Sequence, residues 1–306
     1  MQESRRFENI LIPLDGSKLA EVVLPLVERL AAAESARVTL LHVLERGAPA
    51  TIHGERHLRE LDEAEAYLRE IAERLEAAGI ESTYHAHEVP EGDVARSIVQ
   101  HADEEGADLI AIATHGSGRV RQLLFGSIAQ QVLQRGTVPV LLARPPTEGG
   151  IGDLSPGPVL VPLDGTRAAE DALDTAADLA RALGQELHLV MVVATPETVR
   201  GDRTAVQTLL PASTRAALDV ERQDAVAYLD GLAERLGDSK LTVTTDVRRG
   251  GTASALTAEA EEHGVGIMVV ATHGRAGLQA IWAGSVGARL LARTRAPILL
   301  LRTIER

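Results

Sequence analysis

Two glycine-spaced segments of the chain carry the residue types that bind an anion. Each segment has the form T-H-G, nine further residues and then G-S. Glycine lets a ligand approach the backbone closely, and a helix that begins at the Gly-Ser pair offers free N–H donors, a partial positive charge and a hydroxyl group. The pattern therefore indicates phosphate binding. The residues concerned are Gly116, Gly126 and Ser127 in the first segment and Gly274, Gly284 and Ser285 in the second.

A second pair of motifs, "PLDGS" and "PLDGT", places Asp15 and Asp164 at the ends of short apolar runs. These carboxylates could accept hydrogen bonds from a base or sugar, or help to hold a phosphate-bound Mg²⁺. They could equally be turn residues or helix caps, because Asp-Gly is a common turn dipeptide. The sequence has neither a G-x-x-x-x-G-K-[ST] loop nor a G-x-G-x-x-G motif after the first strand. The residues alone indicate a nucleotide or a similar phosphorylated small molecule.

Histidines supply the other candidate chemistry. His85 and His87 alternate along one predicted strand, and His42 lies on the strand expected beside it, which is a possible metal site. At the offsets taken as matching, the second half of the chain has Val243, Thr245 and Met191. That difference argues against a metal site shared by the two halves.

The elements that must position these residues occur twice. "NILIPLDGSKLAE" matches "PVLVPLDGTRAAE", and "AYLREIAERL" matches "AYLDGLAERL" further along. In each copy short apolar runs alternate with amphipathic stretches, which predicts a parallel, doubly wound α/β sheet. The first helix is expected from about Lys18 to Ala33, with a kink or a late start at Pro25. Ligands of such sheets bind beyond the carboxyl ends of the strands, where both motifs fall.

Composition limits the function classes. The chain has 306 residues, a net charge of -13, 2% aromatic residues and no cysteine. These values argue against a nucleic-acid surface, which needs basic and aromatic side chains, and they exclude thiolate chemistry. No apolar run approaches the roughly 20 residues that cross a bilayer, and no signal segment precedes the first strand. We therefore expect a cytoplasmic protein that does not bind a membrane.

The copies predict two domains, at residues 1–145 and 157–306, with a Pro- and Gly-containing linker at 146–156. Their final strands, "VPVLLA" and "APILLL", are apolar and lie at sheet edges. An exposed apolar edge invites strand pairing. We therefore expect the two final strands to pair with each other as an intrachain pseudo-dimer, and a homodimer of the chain is also possible.

The strand–"P-x-D-G-[ST]"–helix and strand–"THG"–nine residues–"GS"–helix motifs, in order and twice over, resemble those of the universal stress protein family. The resemblance covers essentially the whole chain. It implies a five-stranded parallel sheet of order 3-2-1-4-5 in each domain, joined through the fifth, edge strands. It also implies ATP binding through a G-x-x-G-x₉-G-[ST] loop. Both copies depart from that loop at its first glycine, which is Ala113 or Ala271 here.

The resemblance assigns the following residues to nucleotide binding: Pro13, Leu14, Asp15, Val43, Ala113, His115, Gly116, Gly126, Ser127 and Ile128 in the first copy, and Pro162, Leu163, Asp164, Val192, Ala271, His273, Gly274, Arg275, Gly284, Ser285 and Val286 in the second. No nucleophile is visible beside His115 or His273, which favours a packing role over a catalytic one. Arg275 could reach a phosphate, which favours the second copy if only one site is filled.

The function implied is a stress-response regulatory protein that binds ATP, or ADP or AMP, with Mg²⁺ and hydrolyses it slowly or not at all. Asp15 and Asp164 would meet the Mg²⁺ indirectly, through the nucleotide. No catalytic residues are assigned, because no triad, carboxylate pair or activated nucleophile is visible. Two alternatives stay open at this point. The chain could be a ligand-free, dimer-like scaffold, or a Mg²⁺-dependent ATP-hydrolysing enzyme.

Overall fold

The computed structural model describes residues 6–47, 51–52, 55–56, 58, 60–114, 127–145, 156–199, 209–238, 240–273 and 286–303. The chain divides into two units. The first unit consists mainly of Arg5–Leu154 together with Pro297–Ile304, and the second unit mainly of Ser155–Ala296. Elements are numbered below in chain order.

The first unit is a parallel sheet flanked by helices. Its strands are β1 (Asn9–Pro13), β2 (Arg37–Glu45), β3 (Thr51–Ile52), β4 (Glu55–Arg56), β5 (Ser82–Val89), β6 (Leu109–Ala113) and β7 (Val140–Ala143). Its helices are α1 (Leu24–Glu34), α2 (Leu61–Ala77), α3 (Val94–Glu104) and α4 (Ser127–Arg135). Strands β3 and β4 form a separate two-stranded antiparallel pair. The others follow the order β5-β2-β1-β6-β7, which confirms the predicted order 3-2-1-4-5.

Aliphatic side chains explain why the central strands lie where they do. Strand β6 is buried at every position, and Ile10, Leu11 and Ile12 of β1 are almost fully buried. Strands of this kind need helices on both sheet faces to remove them from water. Helix α1 begins at Leu24 rather than at Lys18, because Pro25 occupies its first turn, and a short 3₁₀ turn at Ala20–Val23 precedes it. The late start expected at Pro25 is therefore confirmed.

The second unit repeats the first four strands of this arrangement. Its strands are β8 (Val159–Leu163), β9 (Leu187–Val193), β10 (Val243–Arg249) and β11 (Ile267–His273), in the order β10-β9-β8-β11. Its helices are α5 (Arg167–Glu170), α6 (Leu173–Leu183), α7 (Pro211–Leu236), α8 (Thr252–Glu262) and α9 (Val286–Arg293).

The chain's last strand, β12 (Ile298–Thr303), belongs to the first unit. It pairs antiparallel with β7, with Ile298 opposite Leu142 and Leu300 opposite Val140. The guanidinium of Arg302 donates a hydrogen bond of 2.7 Å to the carbonyl oxygen of Leu133 at the end of α4. The predicted pairing of the two final strands is thus observed.

Candidate functional site

The turn after β1 is organised by the carboxylate of Asp15. Its Oδ1 accepts hydrogen bonds from the backbone N–H of Ser17 at 2.9 Å and from the Ser17 hydroxyl at 2.6 Å. The Ser17 hydroxyl oxygen in turn lies 3.2 Å from the backbone nitrogen of Ala20, at the start of the 3₁₀ turn. Gly16 completes the turn with a φ of 86°, a backbone conformation that glycine adopts without strain.

The second unit builds the same turn from the equivalent residues. Oδ1 of Asp164 accepts hydrogen bonds from the backbone N–H of Thr166 at 3.0 Å and from its hydroxyl at 2.5 Å. The Thr166 side chain caps α5 by accepting from the Ala169 N–H at 3.2 Å, and Gly165 has a φ of 78°. The turn role that the sequence left open for both aspartates is therefore observed. Contact of either carboxylate with a ligand stays a prediction.

The strand that precedes each glycine-spaced segment lies directly beside the strand that ends in this turn. Leu11 of β1 pairs with Ile110 of β6, and Met268 of β11 pairs with Leu160 of β8. Carboxyl ends of parallel strands meet at one edge of a sheet, and here the strand order reverses between the two. Each aspartate turn and the start of each glycine-spaced segment therefore share the sheet edge where ligands of such folds bind.

Two alanines, Ala113 and Ala271, stand where the family pattern has its first glycine, and the backbone conformation at these positions does not require glycine. Ala113 is the last residue of β6 and pairs with Ala143, and Ala271 lies inside β11. Among the described residues, Ser35 is the single non-glycine residue with a positive φ, so both alanines have ordinary extended backbones. The departure from the family pattern therefore costs no backbone strain.

The remaining predicted residues divide into those the structure describes and those it does not. Five of the described residues are half-buried: Pro13, Val43, Ile128, Pro162 and Val192. Two more, Leu14 and Leu163, are buried. Helix α4 begins at Ser127, and helix α9 begins at Val286. His273 is the last residue of β11. The other seven predicted residues lie outside the described residues: His115, Gly116, Gly126, Gly274, Arg275, Gly284 and Ser285.

In each unit a tyrosine and an arginine both approach one glutamate close to the aspartate turn. The sequence analysis did not assign these three residues to the site. In the first unit the Tyr67 hydroxyl lies 3.4 Å from Glu21 Oε1, and Arg74 lies 3.8 Å from Glu21 Oε2. In the second unit the Tyr228 hydroxyl donates to Glu170 Oε1 at 2.8 Å, and Arg235 lies 3.6 Å from Glu170 Oε2. The repeated "AYL…AERL" segment, which supplies the tyrosine and arginine of both units, was the available signal.

Burial raises the pKa of Tyr67 above its ordinary value of 10.0, and the negative charges of Glu21 and Asp15 raise it further. Burial and the hydrogen bond to Glu170 raise the pKa of Tyr228 in the same direction. Both phenols are therefore neutral donors beside a carboxylate throughout the physiological pH range.

This arrangement predicts how stability responds to alkaline pH. A tyrosine whose folded pKa lies above its unfolded pKa stabilises the fold below about pH 10, and that contribution is lost as the pH rises further. We expect Tyr67→Phe to remove part of the fall in unfolding free energy above pH 10, measured by urea unfolding at several pH values. The tyrosinate absorbance of the native wild-type protein near pH 10 should be the same as that of Tyr67→Phe. A lower absorbance in the variant would contradict the raised pKa.

A cluster of three histidines lies on the third strand and third helix of the first unit. The ring centroids of His85 and His87 on β5 are 5.3 Å apart, and His101 on α3 lies 5.1 Å from His85 and 4.5 Å from His87. Burial, together with the nearby imidazoles of His101 and His85, lowers the pKa of His87 to about 4. The His87 ring is therefore neutral at pH 7.

The grouping of His42 with His85 and His87 is wrong. His42 pairs with Ala86 in the β2–β5 register, between the positions of His85 and His87. Because side chains alternate between sheet faces, His42 points to the opposite face from the two other histidines. The third member of the cluster is His101, which the sequence did not suggest.

The assumed second-copy equivalents, Val243 and Thr245, are also wrong. Leu41 pairs with His85 in the first unit, and the equivalent Val190 pairs with Asp246 in the second. The strand positions that match His85 and His87 are therefore Asp246 and Arg248. Helices α3 and α8 have 11 residues each, and His101 and Glu259 are both their eighth.

In the second unit these positions form an ion-pair network. Arg248 Nε lies 2.9 Å from Asp246 Oδ2 and also contacts Glu259 Oε2, while Arg248 Nη2 donates to Glu262 Oε2 at 2.6 Å. The fully buried Glu259 is further bound by His188, whose Nε2 lies 2.7 Å from Oε1. Nδ1 of His188 lies 2.8 Å from the Thr244 hydroxyl, so both of its ring nitrogens are engaged. The guanidinium of Arg248 is the cation of this network.

Both units thus have a doubly wound α/β architecture, with each aspartate turn and the strand that leads into each glycine-spaced segment side by side at the switch point of the sheet. The universal stress protein family matches the chain at residues 6–144 and again at 157–302. The chain belongs to the universal stress protein family, as two tandem domains.

The chain is similar to several universal stress proteins. The universal stress protein YxiE of Bacillus subtilis is 26% identical over 150 residues, which are 45% of this chain and 99% of that protein. A universal stress protein of Mycolicibacterium smegmatis is 26% identical over 314 residues, 99% of both chains. The crystal structure of a universal stress protein from Archaeoglobus fulgidus superposes with a TM-score of 0.68 at 22% identity, covering 99% of both chains, which shows the same fold. None of the helices within the described ranges is long and apolar enough to cross a bilayer.

Proposed function

We propose that this universal stress protein binds an adenine nucleotide, ATP or else ADP or AMP, at the carboxyl edge of the sheet in each repeat. The observation that carries the proposal is the repeated geometry. In both units an aspartate turn lies beside the strand that leads into a T-H-G-x₉-G-S segment, and a helix starts at or just after the serine. A helix start of this kind supplies backbone N–H donors for phosphate.

The aspartate turns suit the other end of the ligand. A carboxylate fixed by its own turn presents its acceptor oxygens in one orientation, which favours hydrogen bonding to a ribose or a base. Mg²⁺ prefers oxygen ligands and keeps several waters, so the ion would arrive with the phosphates and meet Asp15 or Asp164 indirectly. We propose that occupancy, rather than rapid hydrolysis, is the functional signal in a stress response within the cytoplasm.

Isothermal titration with ATP and Mg²⁺ tests the proposal. We expect two ATP molecules per chain, and one after either Gly126→Val or Gly284→Val, because the added side chain fills the space beside the phosphate. Gly231→Val is the matched control, since Gly231 lies on an exposed part of α7 with no atom within 4 Å of an added Cβ. The control should keep both sites.

The titration, a Tm measurement with ATP and an ATP-turnover assay together decide between the proposal and its alternatives. Absence of both ATP binding and an ATP-dependent rise in Tm would favour the ligand-free scaffold. Multiple turnovers of ATP that disappear in the double variant Asp15→Asn and Asp164→Asn would favour the hydrolytic enzyme. Asparagine is the right replacement, because its side-chain oxygen can still accept the hydrogen bonds of the turn while the charge is removed.

A further inference from the structure

The three histidines of the first unit offer their ring nitrogens to a common point. One nitrogen from each of His85, His87 and His101 lies within 4.8 Å of the other two. Strand β5 contributes two of them from alternate positions on one sheet face, and α3, which packs on that face, contributes the third. Three imidazoles that converge from two different elements form a donor set typical of transition-metal sites.

Ser97 on α3 orients two of the rings. Nδ1 of His101 lies 3.0 Å from the Ser97 carbonyl oxygen, so this nitrogen is the N–H donor and Nε2 carries the lone pair. Nε2 of His87 lies 2.6 Å from the Ser97 hydroxyl, and no hydrogen-bonding group among the described residues reaches its buried Nδ1. In metal centres, a hydrogen bond to one ring nitrogen commonly directs the other nitrogen toward the ion.

The second unit shows what the same positions do when they hold a cation. There Asp246 and Glu259 surround the guanidinium of Arg248. The first unit replaces this carboxylate–cation–carboxylate arrangement with three imidazole side chains. His87 stands at the position of Arg248, so a metal ion bound by the three histidines would supply the positive charge that Arg248 supplies in the second unit.

The distances fit a small ion. Zinc–nitrogen bonds of about 2.0–2.1 Å at tetrahedral angles place the ligand nitrogens about 3.3 Å apart. The three nitrogens therefore need to close by at most about 1.5 Å, which rotation of the exposed His85 side chain can largely provide. Three protein ligands leave the fourth position open, and the exposure of His85 places that position toward solvent.

We propose that His85, His87 and His101 bind a divalent transition-metal ion, Zn²⁺ or a neighbouring late first-row metal, in the first repeat. The ion would link β5 to α3 and retain one water-filled coordination position. Its binding is independent of the nucleotide proposed above, because none of the three histidines belongs to the glycine-spaced segments or the aspartate turns.

Zinc titration of the untagged, chelator-treated full-length chain tests this proposal. We expect one Zn²⁺ per chain with a micromolar or tighter Kd, and a rise in Tm when zinc is present. His101→Ala should weaken binding by more than about 100-fold, because loss of an outer-shell partner alone typically costs 10–100-fold. Co²⁺ should give the intense visible absorption bands of a four-coordinate site in the wild type, and these bands should be lost in the variant.

Two further variants keep the test decisive. His85 is exposed, so His85→Ala should fold normally and still lose zinc affinity. His263→Ala tests the second group of side chains that could hold a metal ion, His188, Glu259 and His263. Because the Glu259 carboxylate already contacts Arg248, this variant should not change zinc binding. Failure of the wild type to bind zinc, or undiminished binding in both His85→Ala and His101→Ala, would overturn the proposal.

Discussion

Replacing Arg248 with methionine is expected to lower the free energy of unfolding by about 3–5 kcal/mol, because the change leaves a buried carboxylate without its cation. Glu259 has no exposed surface, and Arg248 contacts it while also bonding Asp246 at 2.9 Å and Glu262 at 2.6 Å. Hydrogen bonding to Glu259 also raises the pKa of the Arg248 guanidinium. Urea unfolding at pH 7, with the far-ultraviolet circular dichroism as the signal, measures the loss.

Two further variants distinguish the loss of a buried cation from the loss of a surface charge. Arg249→Met removes the adjacent arginine, whose partner Asp219 at 2.6 Å is exposed, and should cost about 0.5 kcal/mol or less. The double variant Arg248→Met and Glu259→Gln should recover much of the stability, because glutamine is neutral and still offers His188 an acceptor oxygen. A loss for Arg248→Met no larger than that for Arg249→Met would contradict the buried ion pair.

The features predictable from the sequence are those that depend on local pattern. Apolar runs such as Ile10–Leu14 identify buried strands, since only a sheet covered on both faces buries every side chain. Pro25 sets the late start of α1, because proline is tolerated in the first turn of a helix and not in its interior. The pairing of β7 with β12 follows from the apolar character of both edge strands.

The features that the sequence did not reveal depend on contacts between distant elements. His101 joins His85 and His87 only because α3 packs across β5, and no spacing in the chain encodes that contact. The relation between the copies also changes along the chain: equivalent residues are 161 apart in the strand, as for His85 and Asp246, and 158 apart in the helix, as for His101 and Glu259. One fixed offset therefore pairs the wrong residues.

The candidate nucleotide site was predictable in its chemistry more than in its structural detail. The sequence left two roles open for Asp15 and Asp164, and the hydrogen bonds to Ser17 and Thr166 show the turn role. Ala113 stands where the family pattern has glycine, and its extended backbone shows that glycine is unnecessary there. Such a distinction depends on φ, which the residue types do not determine.

The two repeats also differ in how the first strand meets the fourth. In the first unit the Asp108 carboxylate accepts a hydrogen bond of 2.7 Å from the Glu8 N–H, and it bridges the two segments. In the second unit the equivalent residues are Gly266 and Gly157, and the backbones approach directly. A Cβ on Gly157 would lie 1.8 Å from the carbonyl oxygen of Gly264 and 2.8 Å from the nitrogen of Gly266.

Gly157→Ala is therefore expected to destabilise the second unit by about 3 kcal/mol or more. A single added methyl group would have to displace backbone, which cannot rotate away as a side chain can, and overpacking of this kind costs about 1–3 kcal/mol and sometimes more. Glu8→Ala at the equivalent position of the first unit keeps the backbone N–H that bonds Asp108, so it should change stability by about 0.5 kcal/mol or less. Thermal and urea unfolding of the two variants make the comparison. Equal stability of Gly157→Ala and wild type would show that the segments before β8 and β11 are farther apart than this geometry requires.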